Sequence, residues 1–574
     1  MLKRDAQPRA RNCLDRNALR GPRLAYAATA FTLAVLVSGC TTLGPDFVTP
    51  EAEVQQEWIY TTDPSIQPVE PTDKGRWWEA FEDPVLDRLI EVAYRQNLTL
   101  KQAGVRILQA RAQLGVAVGS LYPQQQQATG DITYISSSRN TANTAGGDLN
   151  FWNYDVGLTA AWEIDFWGRF ARGIESADAS LLASVATYDD VLVGLTAQVA
   201  TTYIALRVFE QRIEYAAENT GLQKRGLHLA RVRFRNGATT ELDVNQAETL
   251  LRGTQAGLIA LEAGRRQTVN ALGTLLGITP AEATNLVYGP GSVDRLRAVL
   301  TAEQLFDILR AKSGPIPVAP PEVAVGIPAD LLRRRPDVRL AELQAWAQSA
   351  VIGVAQADLY PSIALWGTIG LSAGGSTDTS RNGSVDFGDL FSSDALRFQG
   401  GPSLTWNIFN YGRIKNNVRV QDAALQQLLI NYQNTVLQAG QEVEDATTAF
   451  LQAQYETKYL GLSVAAAKRS VDIALVQYQD GATDYTTVLD TQRSLAGQQD
   501  SYASARGSIA QNLVAMYRAL GGGWQIREGQ DFVSEETRET MRERTDWGGL
   551  LDPEAVQNLP SPDEARETLR KPDW

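Results

Sequence analysis

Cysteine is almost missing from this 574-residue chain, which has only Cys13 and Cys40. Histidine is scarcer still, with His228 alone. One histidine excludes a multi-histidine metal centre and a Ser/His hydrolase, and His228 reads as a surface or seam residue of a long helix. Positive charge is also in deficit. The net charge is −13, and residues 1–39 hold seven Lys or Arg against two Asp, so the remainder stands at −18. That balance argues against nucleic acid as a partner and against docking on anionic headgroups. The apolar stretch Leu24 to Val37 falls short of the ~20 residues a spanning helix needs. Carboxylates are plentiful, yet none stands in a recognisable acid/base constellation, and no glycine-rich phosphate loop precedes a helix. The reading is therefore of no catalytic residue, no metal, no cofactor and no enzyme.

What is present begins at the N-terminus. A basic segment, the apolar stretch and then Leu36-Val37-Ser38-Gly39-Cys40 describe a secretory signal ending at a lipobox-like cysteine. The alternative is an ordinary signal with a chance cysteine. If Cys13 leaves with the signal and Cys40 carries lipid, no thiol remains for a disulfide or a metal. Thr41 in place of Asp resembles the outer-membrane sorting state of bacterial lipoproteins. Acyl chains contribute roughly 0.8 kcal/mol per buried methylene, so multiple acylation gives a durable anchor in outer-membrane lipid.

The rest of the chain carries one architecture twice. Trp162 to Arg169 (WEIDFWGR) recurs as Trp406 to Arg413 (WNIFNYGR), and Gly237-Ala238-Thr239 recurs as Gly481-Ala482-Thr483, both 244 residues on. Leu121-Tyr122-Pro123 recurs as Leu359-Tyr360-Pro361 at an offset of 238, so the second copy has six extra residues in its strand region. The layout reads as a signal peptide over 1–39, a proline-spotted leader over 40–76, and a first repeat over 77–290. A connector over 291–325 and a second repeat over 326–522 follow, then an acidic, weakly ordered tail over 523–574.

Each repeat opens with a helix, the first over Trp77 to Gly119 starting at Asp83-Pro84. Alternation then signals strands. Tyr154, Val156, Leu158, Ala160, Trp162 and Ile164 share one face, with Asp155, Thr159 and Glu163 opposite, and a weaker partner lies near 128–137. In the second copy the strands run near 363–371 and 398–408. One apolar and one polar face fits a transmembrane β-barrel, with Trp162, Trp167, Trp406 and Tyr411 suited to an interfacial girdle. A soluble sandwich with one buried face has the same pattern. Four strands cannot close a barrel, so several chains contribute or there is none.

Long helices follow. Leu181, Val185, Tyr188, Leu192, Leu195, Val199, Thr202 and Leu206 begin a strict 4-3 spacing, and Tyr432, Val436, Ala439, Val443, Ala446 and Phe450 begin its counterpart. Sixty-five residues of helix span ~100 Å, a length that suits a rod or a tube. Glycines at 237 and 481 end these helices, a following Thr suits the next cap, and helical patterns resume at 241–277 and 484–520.

Together, Cys40 with Gly44 to Phe47, Trp77-Trp78, Asp83-Pro84, Ala110-Arg111-Ala112, the paired motifs above, Gly326-Ile327-Pro328 and Leu331 to Asp337 resemble the TolC/OprM-like outer-membrane factors. The likeness is to the NodT-type lipoprotein branch that serves resistance–nodulation–division (RND) efflux pumps, over residues 40–522. The resemblance implies an α+β membrane protein. It would be a homotrimer with a shared twelve-stranded barrel and a long periplasmic α-helical barrel, acting as a passive exit duct for drugs or other small molecules. Its partners would be a periplasmic membrane-fusion adaptor and an inner-membrane RND-type pump. The adaptor would dock at Gly237, Ala238, Thr239, Gly481, Ala482 and Thr483. Asp243 and Tyr478 fall where the family places gate links. Asp490 matches a ring at the constriction, while Thr487 stands where a second carboxylate belongs, with Asp484 as a nearby substitute. A coiled-coil structural lipoprotein without a pore is the alternative.

Overall fold

A computed structural model describes residues 42–552, apart from 52–53, 56, 61–62, 68–74, 139, 141–148, 298–313, 321, 325–333 and 377–386. Cys40, most of the connector, the first hairpin tip, much of the second and residues 553–574 lie outside the described residues. The chain falls into two compact units that interleave in sequence.

The first unit takes residues up to Pro45, Val118–Gly173 and Ala350–Gln421. Two short strands, β1 (Ile66–Gln67) and β4 (Val323–Ala324), belong to the other unit and pair in parallel. Here lie β2 (Gln125–Ser136), β3 (Asn150–Ile164), β5 (Ser362–Ser376) and β6 (Leu396–Thr405), joined antiparallel in the order β2-β3-β5-β6. Register places Ala128, Leu158, Ile369 and Phe398 in one row and Gln127, Thr159, Thr368 and Gln399 in the next. The apolar row is uncovered in the chain: Leu158, Ile369 and Phe398 are 61%, 54% and 82% exposed, and Gln127 and Gln399 of the polar row are exposed as well. Among the described residues no second sheet covers the apolar face, as a sandwich folded from one chain would require.

The second unit is helical. α1 (Pro84–Gln96) starts where Asp83 accepts from the Val85 and Leu86 amides at 2.9 and 3.3 Å. The single helix expected over 77–119 is instead a 3-10 turn (Trp77–Phe81), α1 and α2 (Leu98–Gly119). Asn97 makes the break, accepting from the Leu100 amide and donating to the Leu275 carbonyl, both at 2.8 Å. The long helices are α3 (Arg169–Arg235) and α8 (Arg413–Gln479), with their returns α4 (Glu241–Leu276) and α9 (Tyr485–Ala519). Shorter helices α5 (Pro280–Tyr288), α6 (Ser292–Arg297) and α7 (Pro336–Ala357) complete the connector side. The 4-3 seams are inward: Leu181, Leu192, Val199 and Leu206 on α3, and Tyr432, Val436, Ala439 and Phe450 on α8, are buried. α3 has a stretch apolar enough for a membrane span, but 61% of it is covered by the chain itself.

Residues 524–551 differ from the weak order expected of a charged tail. They form a 3-10 turn (Trp524–Arg527), α10 (Glu535–Arg544) and a last turn (Gly548–Leu551). Arg527 pairs with Asp189, which is fully buried, and Phe532 meets Tyr188 edge-on at 5.1 Å. Gly104 is obligatory beneath this strap, since a Cβ there would lie 2.1 Å from the Phe532 carbonyl oxygen. A few tertiary anchors, Val533, Met541 and Leu551 among them, hold an otherwise polar segment.

Candidate functional site

In the first unit the repeat is legible atom by atom. Trp162 Nε1 donates to the Leu121 carbonyl and Trp406 Nε1 to the Leu359 carbonyl, both at 3.0 Å. Trp167 donates to the Pro361 carbonyl at 2.8 Å and lies against Tyr360, with ring centres 4.7 Å apart. Tyr411 is fully exposed and holds a left-handed φ of 49°, followed by Gly412 at 83°. Each indole thus keeps its N–H bonded to backbone; the Trp162 and Trp406 rings are exposed, while Trp167 is half-buried between Phe166 and Tyr360.

The start of the described chain is clamped in the same unit. The Leu43 amide donates to the Trp167 carbonyl at 3.1 Å, and Arg172 Nε donates to the Leu43 carbonyl at 3.0 Å. Gly44 and Gly353 meet backbone to backbone, and an added Cβ on Gly44 would fall 2.6 Å from the Gly353 Cα. This clamp begins three residues after Cys40.

In the second unit both helical tips are built alike. Gly237 and Gly481 take φ of 71° and 78°, and the Ala238 and Ala482 amides return to the Arg233 and Gln477 carbonyls at 2.8 Å. These are glycine-terminated helix ends. The caps that follow differ from the expected threonines. Asp484 caps α9, accepting from the Thr487 amide at 3.1 Å, and Thr240 stands at the α4 cap without a side-chain bond. Thr239 donates instead to Asp243, and Thr483 to the Thr487 hydroxyl at 3.1 Å.

Asp243 and Tyr478 come together within one chain: the Tyr478 hydroxyl donates to Asp243 at 3.3 Å. Arg233 stacks over the Tyr478 ring at 4.8 Å and donates to the Tyr478 and Gln479 carbonyls at 2.7 and 3.0 Å. Burial, more than Asp243, holds the Tyr478 phenol above its usual range. Asp490 is exposed on α9 and pairs with Arg493 at 3.6 Å, whereas the Asp484 carboxylate is engaged in its cap.

Sequence periodicity gave no sign of a buried polar clasp. Tyr203 donates to Asp83 at 2.7 Å and accepts from Arg207 at 3.0 Å, and Arg207 pairs with Glu210 at 2.7 Å. Tyr288 donates to Glu210 at 2.7 Å and accepts from Arg265, which holds Glu262 with two bonds of 2.6 and 2.8 Å. The clasp ties α3, α4, α5 and the start of α1 together. Among the described residues, no three His, Cys, Asp or Glu side chains gather closely enough to hold a metal ion.

The model of the outer membrane efflux protein family matches residues 89–278 and 327–522. The chain is 30% identical over 465 residues to the pyoverdine export outer membrane protein OpmQ of Pseudomonas putida, covering 80% of this chain and 91% of that one. It is 29% identical over 500 residues to nodulation protein T of Rhizobium leguminosarum bv. viciae, covering 87% and 94%. Among solved structures, the outer-membrane channel OprN superposes with a TM-score of 0.73 at 29% identity, over 84% of this chain and all of that one.

Proposed function

The chain belongs to the outer membrane efflux protein family, and from that premise we propose how it works. It is an outer-membrane channel of a tripartite efflux system, a conduit served by an inner-membrane pump and a periplasmic adaptor.

Three copies assemble into one duct. The observation that carries this reading is the sheet: four antiparallel strands with an outward apolar face, in which β2 and β6 each have one partner only among the described residues. Unpaired edges with an apolar outer face cannot persist in lipid. Edge-to-edge joining of three sheets gives twelve strands, an allowed number for a closed barrel. A second support lies on α8, where Ile430, Leu437, Tyr455, Tyr459, Leu462, Ile473 and Val476 are 42–69% exposed. They line a second apolar stripe on α8, which a neighbouring copy would cover. A poreless spacer lipoprotein leaves both the outward sheet face and this stripe unexplained.

Cys40 carries the lipid, and the clamp at Leu43 and Gly44 fixes the chain just after it. The turns at Gly237–Thr239 and Gly481–Thr483 receive the adaptor. Asp243 and Tyr478 serve as the gate link. Three Asp490 carboxylates face the axis of the duct, their mutual repulsion moderated by Arg493. The duct performs no catalytic step; it passes drugs or other small molecules chosen by its pump.

Native mass spectrometry of the lipidated protein in detergent tests the assembly. Three chains bearing one acylated Cys40 each is the expected mass. A monomer, or an unmodified Cys40 in protein taken from outer membranes, would contradict it.

A further inference from the structure

The sheet carries rings at both ends. Trp162 and Trp406 are exposed where its strands run on into the long helices. At the opposite end Tyr134 of β2 stands in register with Trp152 of β3, with ring centres 5.1 Å apart. Tyr154 follows on the same face of β3 and meets Phe387 edge-on at 5.4 Å, and Phe387 meets Phe391 edge-on at 5.9 Å. Those two phenylalanines bound a 3-10 turn (Phe387–Phe391) in the β5–β6 connection, and a shorter turn (Ser393–Ala395) leads it into β6.

The turn folds back onto the sheet. It packs on β5 and β3, the two central strands. Leu390 is buried, and so is Ala373, which is in register with Tyr154; Ile369, four residues along the same face, is open. The face the turn covers is thus the one that bears Leu158 and Ile369. Tyr134, Trp152, Phe387 and Phe391 stay exposed, and so do Asp389 and Asp394 beside them. Open rings next to open carboxylates suit a boundary between an apolar medium and water. Ten residues separate Trp152 from Trp162. At ~3.3 Å per residue and a tilt of about 40° that is roughly 25 Å of depth, the height of the apolar band between the two aromatic girdles of an outer-membrane barrel.

We propose that the turn Phe387–Phe391, with Tyr134, Trp152 and Tyr154, is a lipid-binding surface that seats on the outer leaflet at the boundary between acyl chains and headgroups. Lipid at the turn presupposes the proposed barrel, in which this sheet face meets the bilayer. The occupant is lipid and not a neighbouring copy, because the turn sits on the central strands whereas copies join along the edges β2 and β6. The connection that is longer in the second repeat thereby gains a task outside the duct. It sets the depth of the sheet in the membrane through its rings, and this turn does not close over the mouth.

Spin labels on the full-length lipidated protein in vesicles of lipid A and phosphatidylethanolamine test this. Gly388 lies between the two rings, and a Cβ added there meets nothing within 4 Å, so Gly388→Cys accepts a nitroxide with both rings in place. Ile369→Cys and Thr368→Cys, labelled in the same way, report the two faces of the sheet. Power saturation compares collisions with oxygen, which concentrates among acyl chains, and with a nickel chelate confined to water. The label at 369 is expected to be oxygen-dominated, the label at 368 nickel-dominated, and the label at 388 intermediate with oxygen in excess. Adding Phe387→Ser/Phe391→Ser to Gly388→Cys should shift its label to the nickel-dominated range. A label at 388 that reads as 368 does, while 369 reads as lipid, would overturn the proposal and leave the barrel standing. Shielding of 388 from both probes would overturn it too, since protein would then cover the turn, as would a depth that the double serine variant leaves unchanged. A nickel-dominated label at 369 would instead remove the barrel assignment from which the proposal proceeds, and the proposal with it.

Discussion

Arginine placed at Ile369 separates the two faces of the sheet. Ile369 is the middle residue of β5 and 54% exposed, in register with Leu158 on one side and Phe398 on the other. If that row faces lipid, Ile369 sits near the bilayer midplane, where an arginine costs about 2–4 kcal/mol per chain. Three copies bring this to roughly 6–12 kcal/mol per barrel, before any snorkelling. Thr368, one residue away, looks to the opposite side with Thr159 and Gln399 as its neighbours, so Thr368→Arg meets water and polar side chains instead. Urea-titrated folding into lipid vesicles, followed by tryptophan fluorescence and by heat-modifiable gel mobility, measures both. Ile369→Arg is expected to fold about 30-fold less favourably or worse per chain, and Thr368→Arg nearly as well as wild type. Equal penalties for the two, or an unaffected Ile369→Arg, would refute the assignment of the faces.

Three other outcomes follow from the same structure. Asp490→Ala removes the acid that Arg493 partners, and planar-bilayer recordings should show larger steps and weaker block by multivalent cations; unchanged conductance and block would remove Asp490 from the constriction. Arg527→Ala leaves Asp189 buried and unpaired, costing about 3–5 kcal/mol, whereas Arg542→Ala at an exposed pair costs under ~1 kcal/mol; thermal melts that rank them the other way would contradict the docked strap. Alkaline stability is set by buried phenols. Burial holds Tyr203 and Tyr288 above the ordinary 10.0, so unfolded chains release these protons first. Their contribution is complete below pH ~10 and lost as the pH rises beyond it, and Tyr288→Phe should flatten the fall in melting temperature by about one proton's worth.

The sequence exposes whatever rests on period and local backbone geometry. Alternation marked three strands clearly, the 4-3 spacing marked α3 and α8, and Gly237 and Gly481 marked the tips. Alternation alone left open which face was covered, and in the single chain Leu158 and Phe398 are both open. Asn97 gave no helical warning because half of its reason is a carbonyl 178 residues away at Leu275. The strap over 524–551 reads as a solvated charged segment, since its hold depends on distant partners, Asp189, Tyr188 and Gly104. The clasp is hidden for the same reason. Arg207, Glu210, Arg265 and Tyr288 look like ordinary helix-surface residues until the fold brings them together. At the tips, Asp243 and Tyr478 were legible only by family resemblance, and Asp484 proved to have a local capping task that its position after Gly481 and Thr483 explains.

Single-channel recording of the lipidated wild-type protein in a planar bilayer tests the central claim most directly. An outer-membrane duct closed toward its tips and lined by Asp490 predicts small, discrete, cation-leaning steps. A protein that reaches the bilayer intact and passes no current at any voltage would contradict it.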